Sequence, residues 1–129
     1  MIQPKIKIYI INLKKDSDRK NHIINQLEKQ NIFDYEIIEA VDGNILTKEE
    51  LNSKVFKDKK GLNYWNTKMS PSQIGCALSH IKIYKKLLKS ENNYCLILED
   101  DAIFNQNLTN DLDEFILRNF KFNKQIILL

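Results

Sequence analysis

The sequence lacks any long apolar run and any block of like charges. Its longest apolar stretches, such as residues 8–11 and 126–129, have the length of a strand. They fall far short of a membrane-spanning helix or the core of a signal peptide. Nowhere do five like charges follow one another, and 20 basic residues stand against 17 acidic ones, a balance that does not favour nucleic-acid binding. We therefore expect neither a transmembrane segment nor a nucleic-acid partner, and peripheral association with a membrane is left open.

Cysteine is also scarce. Cys76 and Cys95 lack the paired spacing of a zinc site or of a secreted disulfide framework, and both lie among apolar residues, so we interpret them as buried thiols. A reducing compartment fits this interpretation: the cytoplasm, including the inner face of the cytoplasmic membrane.

With 129 residues, of which 43% are hydrophobic and 29% charged, the chain is long and apolar enough for a single globular domain.

Strand-like and helix-like segments alternate along the chain. Apolar or β-branched runs predict strands over residues 5–13, 34–40, 94–98 and 125–129. Helices are predicted over residues 16–30, 70–89 and 111–119, with a short helix after a capping box of Thr47 and Glu50 and a loop over residues 54–67. This order predicts an α/β fold with a mixed or mostly parallel sheet flanked by helices.

The clearest helix start is the segment SPSQ at residues 70–73. Ser70 can cap the helix, Pro71 suits the first turn, and Gln73 can reach back to the amide of Ser70. Beyond it, an apolar stripe interrupted only by Lys85 predicts the face that docks on the sheet. The stripe consists of Ile74, Ala77, Leu78, Ile81 and Leu88.

Three consecutive carboxylates, Glu99, Asp100 and Asp101, follow the apolar strand at residues 94–98. Open α/β sheets bind ligands at the carboxyl ends of their strands, and continued strand geometry would turn Glu99 and Asp101 to one side and Asp100 to the other. Two such charges within about 4 Å repel by about 4 kcal/mol at an effective dielectric near 20. A site for Mg²⁺ or Mn²⁺ would relieve that repulsion and could hold a diphosphate. A solvated turn that caps a following helix is the alternative.

Other candidate contacts follow the first two predicted strands. Asn12 could offer its amide to a nucleobase or ribose, Arg19 could meet a phosphate, and Asp42 with Gly43 could receive a ribose hydroxyl. Each also has a purely structural interpretation: a strand-end asparagine forms turns, a single helical arginine is a surface charge, and Asp-Gly is a turn by itself.

His80 lies at the flank of the apolar stripe of the helix at residues 70–89. It is either a half-buried, hydrogen-bonded residue or a catalytic one. Tyr64 and Trp65 in the predicted loop could stack on a sugar or base, or fold down to cover the core.

The order of these motifs resembles glycosyltransferase family 25, the lipooligosaccharide and related galactosyltransferases. The resemblance is carried by IYIINLKKDSDRK, FDYEIIEAVDG, SPSQIGCALSHIKIYKKLL and YCLILEDDAIF, which cover nearly the whole chain. It implies a GT-A-like, Rossmann-like fold, a nucleotide-sugar donor such as UDP-galactose, and transfer of the sugar to a hydroxyl of a surface glycan. The chain stops at about the midpoint of such a domain, inside an apolar strand, so we expect a truncated, donor-binding half whose own activity is impaired.

The resemblance also implies roles for particular residues. The acidic triplet is similar to the metal-binding DXD element of GT-A enzymes, which makes Glu99 and Asp101 the expected ligands of Mn²⁺ or Mg²⁺. The Leu-Ser-His sequence ending at His80 matches a helix motif of the family, whereas Gln73 stands where the family commonly has glutamate. The residues expected to bind substrate are Asn12, Leu13, Asp18, Arg19, Asp42, Gly43, His80 and Asp100. The catalytic base is not identified.

Two alternatives come from other functional classes. A receiver-like phosphoacceptor module also has an α/β sheet and clustered acids that bind Mg²⁺, but its acidic pair should follow the first strand, where this chain has Asn12 and Leu13. A degenerate, non-catalytic protein that binds a nucleotide or a partner is the second alternative. Neither the acceptor nor the oligomeric state follows from the sequence.

Overall fold

The computed structural model describes residues 6–54, 69–105 and 107–119. Within them the strands are β1 (Ile6–Asn12), β2 (Tyr35–Glu39) and β3 (Tyr94–Glu99). The helices are α1 (Ser17–Glu28), α2 (Lys48–Lys54), α3 (Pro71–Leu88) and α4 (Leu108–Asn119), and a short 3₁₀ turn spans Gly43–Ile45. Tyr64, Trp65, most of the predicted loop and the predicted strand at residues 125–129 lie outside the described residues.

The strands form one parallel sheet in the order β2-β1-β3, so β1 is paired on both edges. Ile10 lies opposite Ile37 on one side and Leu98 on the other. A parallel strand in this position is covered on both faces, which explains why residues 8–11 are continuously apolar rather than alternating. The predicted α/β fold, with a parallel sheet flanked by helices, is confirmed.

Successive side chains of β1 point to opposite faces and separate two apolar clusters. Ile8 and Ile10 pack with Ile23 and Leu27 of α1. Tyr9 and Ile11 pack on the other face with Ile83 of α3. The two clusters hold α1 and α3 on opposite faces of the sheet. Each large apolar side chain that is fully buried contributes about 1.5–3 kcal/mol to the stability of this packing.

The two crossover connections run in opposite directions across the sheet, with β1 between the strands that they reach. It leaves β1 through α1 to reach β2, then returns past β1 through α3 to reach β3 on the far side. Crossovers between parallel strands are right-handed, so two crossovers that run in opposite directions across the sheet place their helices on opposite faces of it. The carboxyl ends of β1 and β3 therefore border a crevice, the place where open α/β sheets bind their ligands.

The α3 helix docks through a close approach of two backbones. A Cβ atom on Gly75 would lie 2.4 Å from the carbonyl oxygen of Val41 and 2.7 Å from the amide nitrogen of Gly43. One turn further along α3, the buried hydroxyl of Ser79 accepts a hydrogen bond from the amide of Val41 (2.9 Å) and donates one to the carbonyl of Gly75 (2.8 Å). Only glycine permits this spacing at position 75.

The predicted docking stripe of α3 is confirmed only in part, since Ala77, Leu78 and Ile81 are half-buried. Ile74 is buried as expected, but Leu88 is 75% exposed, and the other buried residues of the helix are Gly75, Ser79 and Ile83. Contact between Gly75 and residues 41–43 fixes the rotation of the helix, so the apolar stripe lies beside the sheet-facing side rather than on it.

Both predicted capping boxes are present. The hydroxyl of Ser70 accepts a hydrogen bond from the amide of Gln73, and the Gln73 side chain accepts one from the amide of Ser70. Thr47 and Glu50 form the same reciprocal pair.

None of the helices in the described ranges combines the length and the apolar character that crossing a bilayer requires.

Alanine at position 75 is expected to lower the free energy of unfolding. In an exposed helix Gly→Ala stabilises by about 1 kcal/mol, but here the new methyl group would clash with main-chain atoms and should cost about 1–3 kcal/mol. Urea denaturation measures the difference. Lys85→Ala, at an exposed position of the same helix, is the control and should change stability by less than about 0.5 kcal/mol. Unchanged or higher stability of Gly75→Ala would contradict the close approach.

Candidate functional site

A cleft of about 290 Å³ lies at the carboxyl edge of the sheet. Six of the residues predicted to bind substrate or metal line it: Leu13, Arg19, Asp42, Gly43, Glu99 and Asp100. A larger cleft of about 600 Å³, between the end of α1 and residues 104–110, is lined mainly by amide side chains and contains none of the predicted residues. The chemistry is therefore concentrated in the smaller cleft, at the point where the chain reverses across the sheet.

On the α1 side of this cleft, Asn12 and Asp100 form a buried pair. The Nδ2 atom of Asn12 donates hydrogen bonds to Oδ2 of Asp100 (2.8 Å) and to the carbonyl oxygen of Asp16 (3.0 Å). Asp100 is only 8% exposed, and Nη1 of Arg19 lies 3.6 Å from its Oδ1 atom. Since the amide group of Asn12 is already bound within the protein, its described contacts hold Asp100 and the start of α1 in place.

On the α3 side, Glu99 meets Cys76 and His80. Its Oε1 atom lies 3.6 Å from Sγ of Cys76 and 3.4 Å from Nε2 of His80. Partial burial raises the pKa of the Cys76 thiol, and the Glu99 carboxylate raises it further, so the thiol stays protonated at neutral pH and donates to the carboxylate. The His80 ring also lies beside Tyr84, with their centroids 6.1 Å apart.

The prediction that both cysteines are buried is wrong. Cys76 is exposed and Cys95 is half-buried. Cys95 lies within β3 and contacts the apolar cluster on the α3 face, whereas Cys76 lies near the start of α3 and lines the cleft. Apolar neighbours in the sequence therefore did not indicate where the Cys76 side chain points.

The acidic triplet is divided between the two sides of the cleft by the alternation of β3. Leu98 packs on the α1 face, Glu99 turns to α3, and Asp100 turns to Asn12 and Arg19. Asp101 lies in the turn after β3, is exposed, and makes no hydrogen bond or ion pair within the described residues. The expected opposition of Glu99 and Asp100 is confirmed, but Asp101 does not line the cleft.

The carboxylates as placed do not by themselves assemble an all-oxygen metal site. Glu99 shares its position with a thiol and an imidazole, and Asp100 is engaged by an amide and a guanidinium. A hard cation such as Mg²⁺ or Mn²⁺ prefers oxygen ligands at defined distances. Metal binding by Glu99 and Asp101 therefore stays a prediction.

Asp42 and Gly43 form the turn that borders the cleft on the β2 side. Asp42 accepts a hydrogen bond from the Asn44 amide (3.1 Å) and pairs with Nζ of Lys15 at 2.8 Å. The Lys15 ammonium, with the Asn44 amide, lowers the pKa of the Asp42 carboxyl. A turn thus accounts for this carboxylate, and contact with a ribose hydroxyl stays a prediction.

Of the two remaining residues predicted to bind substrate, one lines the cleft and the other does not. Leu13 lines the cleft, whereas Asp18 is exposed on the first turn of α1 and does not line it. Sequence reasoning missed Cys76 and Ser79 as cleft residues. A usable signal was present for Cys76, because it lies four positions before His80 and residues at that spacing share one face of a helix.

Replacing Lys15 with methionine is expected to raise the pKa of Asp42 towards its ordinary value, because the ammonium that favours the charged carboxylate is removed. A lowered folded-state pKa stabilises the fold above the unfolded pKa, and that contribution disappears as the pH falls through the folded value. The pH at which acid unfolding begins should therefore rise slightly in Lys15→Met. NMR titration of the carboxyl carbon measures the pKa, with Lys14→Met as control; equal values in the two variants would contradict the pairing.

Comparisons with known proteins agree on one family. The family model for glycosyltransferase family 25, described as an LPS biosynthesis protein, matches residues 5–129. Procollagen galactosyltransferase 2 of Mus musculus is 33% identical over 100 residues, 76% of this chain and 16% of that protein. The glycosyltransferase 25 family member of Aedes aegypti is 34% identical over 99 residues, 75% of this chain and 16% of that protein.

A third relative extends the match along the chain. The procollagen lysyl hydroxylase and glycosyltransferase of Acanthamoeba polyphaga mimivirus is 31% identical over 132 aligned residues, 93% of this chain and 14% of that protein. The matched segment amounts to between 14% and 16% of the length of these three relatives. The family model covers nearly the whole chain, and relatives at 33% and 34% identity agree with it: this chain belongs to glycosyltransferase family 25.

Proposed function

We propose that this chain forms the donor-binding cleft of an enzyme that transfers a sugar from a UDP-sugar to a hydroxyl of a glycan. The observation that carries the proposal is the position of Arg19, Glu99 and Asp100 around one cleft at the reversal point of the sheet. A binding site of this kind takes a nucleotide with its diphosphate near a helix N-terminus. Because the chain spans a minor part of its relatives, the complete transfer reaction needs residues beyond those described.

The diphosphate is proposed to bind at the start of α1. Arg19 lies one turn into this helix, its side chain is 60% exposed, and its ion pair with Asp100 is long at 3.6 Å. Asp16, at the N-cap position, makes no side-chain capping bond. The first amides of α1, which carry the positive end of the helix dipole, are therefore suited to phosphate oxygens.

Galactose is the best-supported donor sugar. The relatives compared include procollagen galactosyltransferases, whereas the family model is described by LPS biosynthesis. The names of the procollagen galactosyltransferases give galactose as the sugar that those proteins transfer. The two descriptions point to different acceptors, procollagen in one case and LPS in the other. We therefore propose UDP-galactose as the donor, and a lipooligosaccharide or another surface glycan as the acceptor.

The proposed reaction is a displacement at the anomeric carbon. An acceptor hydroxyl oxygen forms the new bond to that carbon, the bond to the UDP diphosphate oxygen breaks, and a general base takes the hydroxyl proton. Arg19 and the α1 amides would stabilise the negative charge of the departing UDP. A divalent cation, when bound, would neutralise part of the same charge.

The receiver-like alternative receives no support from the described residues. Its acidic pair would follow β1, where the structure has Asn12 and Leu13. A non-catalytic member of the same family stays a distinct outcome: UDP-galactose binding without transfer by the full-length protein would favour it.

Removing the charge of Arg19 is expected to weaken UDP-galactose binding by roughly tenfold, the effect of losing about 1.4 kcal/mol of a charge-assisted contact. Isothermal titration calorimetry of Arg19→Met against the unchanged chain measures this. Lys20→Met, which removes a neighbouring positive charge outside the cleft lining, is the matched control. Equal affinities for the two variants would exclude Arg19 from the diphosphate site.

Mn²⁺ is expected to strengthen UDP-galactose binding, and Asp101→Ala is expected to remove that increase. The same titration, run with and without Mn²⁺, measures the metal-dependent part. Asp113→Ala, an exposed carboxylate on α4, is the control. An undiminished Mn²⁺ effect in Asp101→Ala would overturn the assignment of Asp101 as a ligand while leaving the donor-binding cleft intact.

A further inference from the structure

Cys76, His80 and Glu99 bring three different donor atoms together on the α3 side of the cleft. One sulfur, one imidazole nitrogen and one carboxylate oxygen lie within 4.8 Å of one another. Cys76 and His80 are four residues apart on α3, which places them on one helix face, and Glu99 reaches them from the end of β3. The cluster is therefore set by two elements that the core holds rigidly in place.

Two of the three distances within this cluster match those between ligands of a tetrahedral zinc ion, and the third, between sulfur and imidazole nitrogen, is at most 4.8 Å. Zn–S distances near 2.3 Å and Zn–N or Zn–O distances near 2.0 Å, at tetrahedral angles, place sulfur and oxygen about 3.5 Å apart and nitrogen and oxygen about 3.3 Å apart. The observed separations from Oε1 of Glu99 are 3.6 Å to Sγ of Cys76 and 3.4 Å to Nε2 of His80.

The chemistry of the donors selects the kind of cation. Thiolate and imidazole suit borderline-soft ions such as Zn²⁺ or Co²⁺, whereas Mg²⁺ and Mn²⁺ favour carboxylate, carbonyl and water oxygens. Cys76 and Glu99 also line the cleft, so a fourth coordination position would face it. Three protein ligands with one open position is the arrangement of catalytic rather than structural zinc sites.

We infer that Cys76, His80 and Glu99 form a three-ligand site for Zn²⁺ or a similar borderline-soft divalent cation, with its open position in the cleft. On binding, Cys76 releases its thiol proton to solvent and ligates as the thiolate, and the hydrogen bond from Cys76 to Glu99 is replaced by two bonds to the ion. The site needs neither a nucleotide nor Asp101. It shares Glu99 with the oxygen-ligand site proposed for Mn²⁺ and differs from that site in its other two ligands, Cys76 and His80.

Titration of the metal-free, full 129-residue chain with Zn²⁺ and with Co²⁺, in the absence of nucleotide, tests the inference. We expect one ion per chain by calorimetry and, with Co²⁺, the charge-transfer absorption of a thiolate ligand. Loss of a direct ligand should exceed the 10- to 100-fold effect of losing an outer-shell partner, so His80→Gln and Glu99→Gln should each weaken binding by more than about 100-fold. Cys76→Ser should abolish the charge-transfer band.

The chain offers matched controls. Cys95→Ser removes the other cysteine and His22→Gln removes an exposed histidine of α1; both should leave binding and the cobalt spectrum unchanged. Cys76→Asp keeps an anionic ligand, so it should retain weaker binding without the thiolate band, and denaturation curves of the metal-free variants exclude loss of the fold.

Other results would overturn the site. They are an absence of one-to-one binding, a thiolate band that survives Cys76→Ser, or one that disappears in Cys95→Ser. Any of them would leave Cys76, His80 and Glu99 as a hydrogen-bonded cluster only. Because no nucleotide is present in these titrations, failure here is distinguishable from failure of UDP-galactose binding.

Discussion

Pairing of β1 on both of its edges is the constraint on which the rest of the structure depends. It buries Ile10 between two neighbouring strands and sends Ile8 and Tyr9 to opposite faces. The helices that cover those faces belong to crossovers running in opposite directions, and the crevice opens where these crossovers diverge. The position of the site is thus a product of strand order, and the residues at the ends of β1 and β3 supply its chemistry.

Much of this architecture could be read from the sequence, because strand and helix signals act locally. The start of α3 was predictable from Ser70, Pro71 and Gln73, whose contacts involve neighbours within three residues. The face on which α3 docks was not, because it is fixed by backbone contact between Gly75 and residues 41–43. A glycine contributes nothing to an apolar stripe, so a pattern based on hydrophobic side chains cannot register the contact that decides the helix rotation.

In the cleft, too, the features set by neighbouring residues in the sequence were predictable, whereas contacts between residues far apart in the chain were not. Alternation along β3 was enough to predict that Glu99 and Asp100 point apart, and the contacts of both residues agree. The partners that each one meets depend on which helix lies over which face. Asn12 and Asp100 are 88 residues apart in the chain, and a turn at Asp101 ends the regular alternation. Sequence reasoning therefore identified the acidic residues but did not assign Glu99 to Cys76 and His80.

The docking of α3 through Gly75 has a mechanical consequence for the cleft. One wall carries Val41, Asp42 and Gly43, and the helix that holds Cys76 forms the facing wall. Main-chain atoms touch where these walls meet, and such a junction, unlike one made by long side chains, has no rotamers through which to relax. At this junction the two walls can separate only if the helix moves as a unit, so the spacing between α3 and residues 41–43 is set by the backbone rather than by side-chain adjustment.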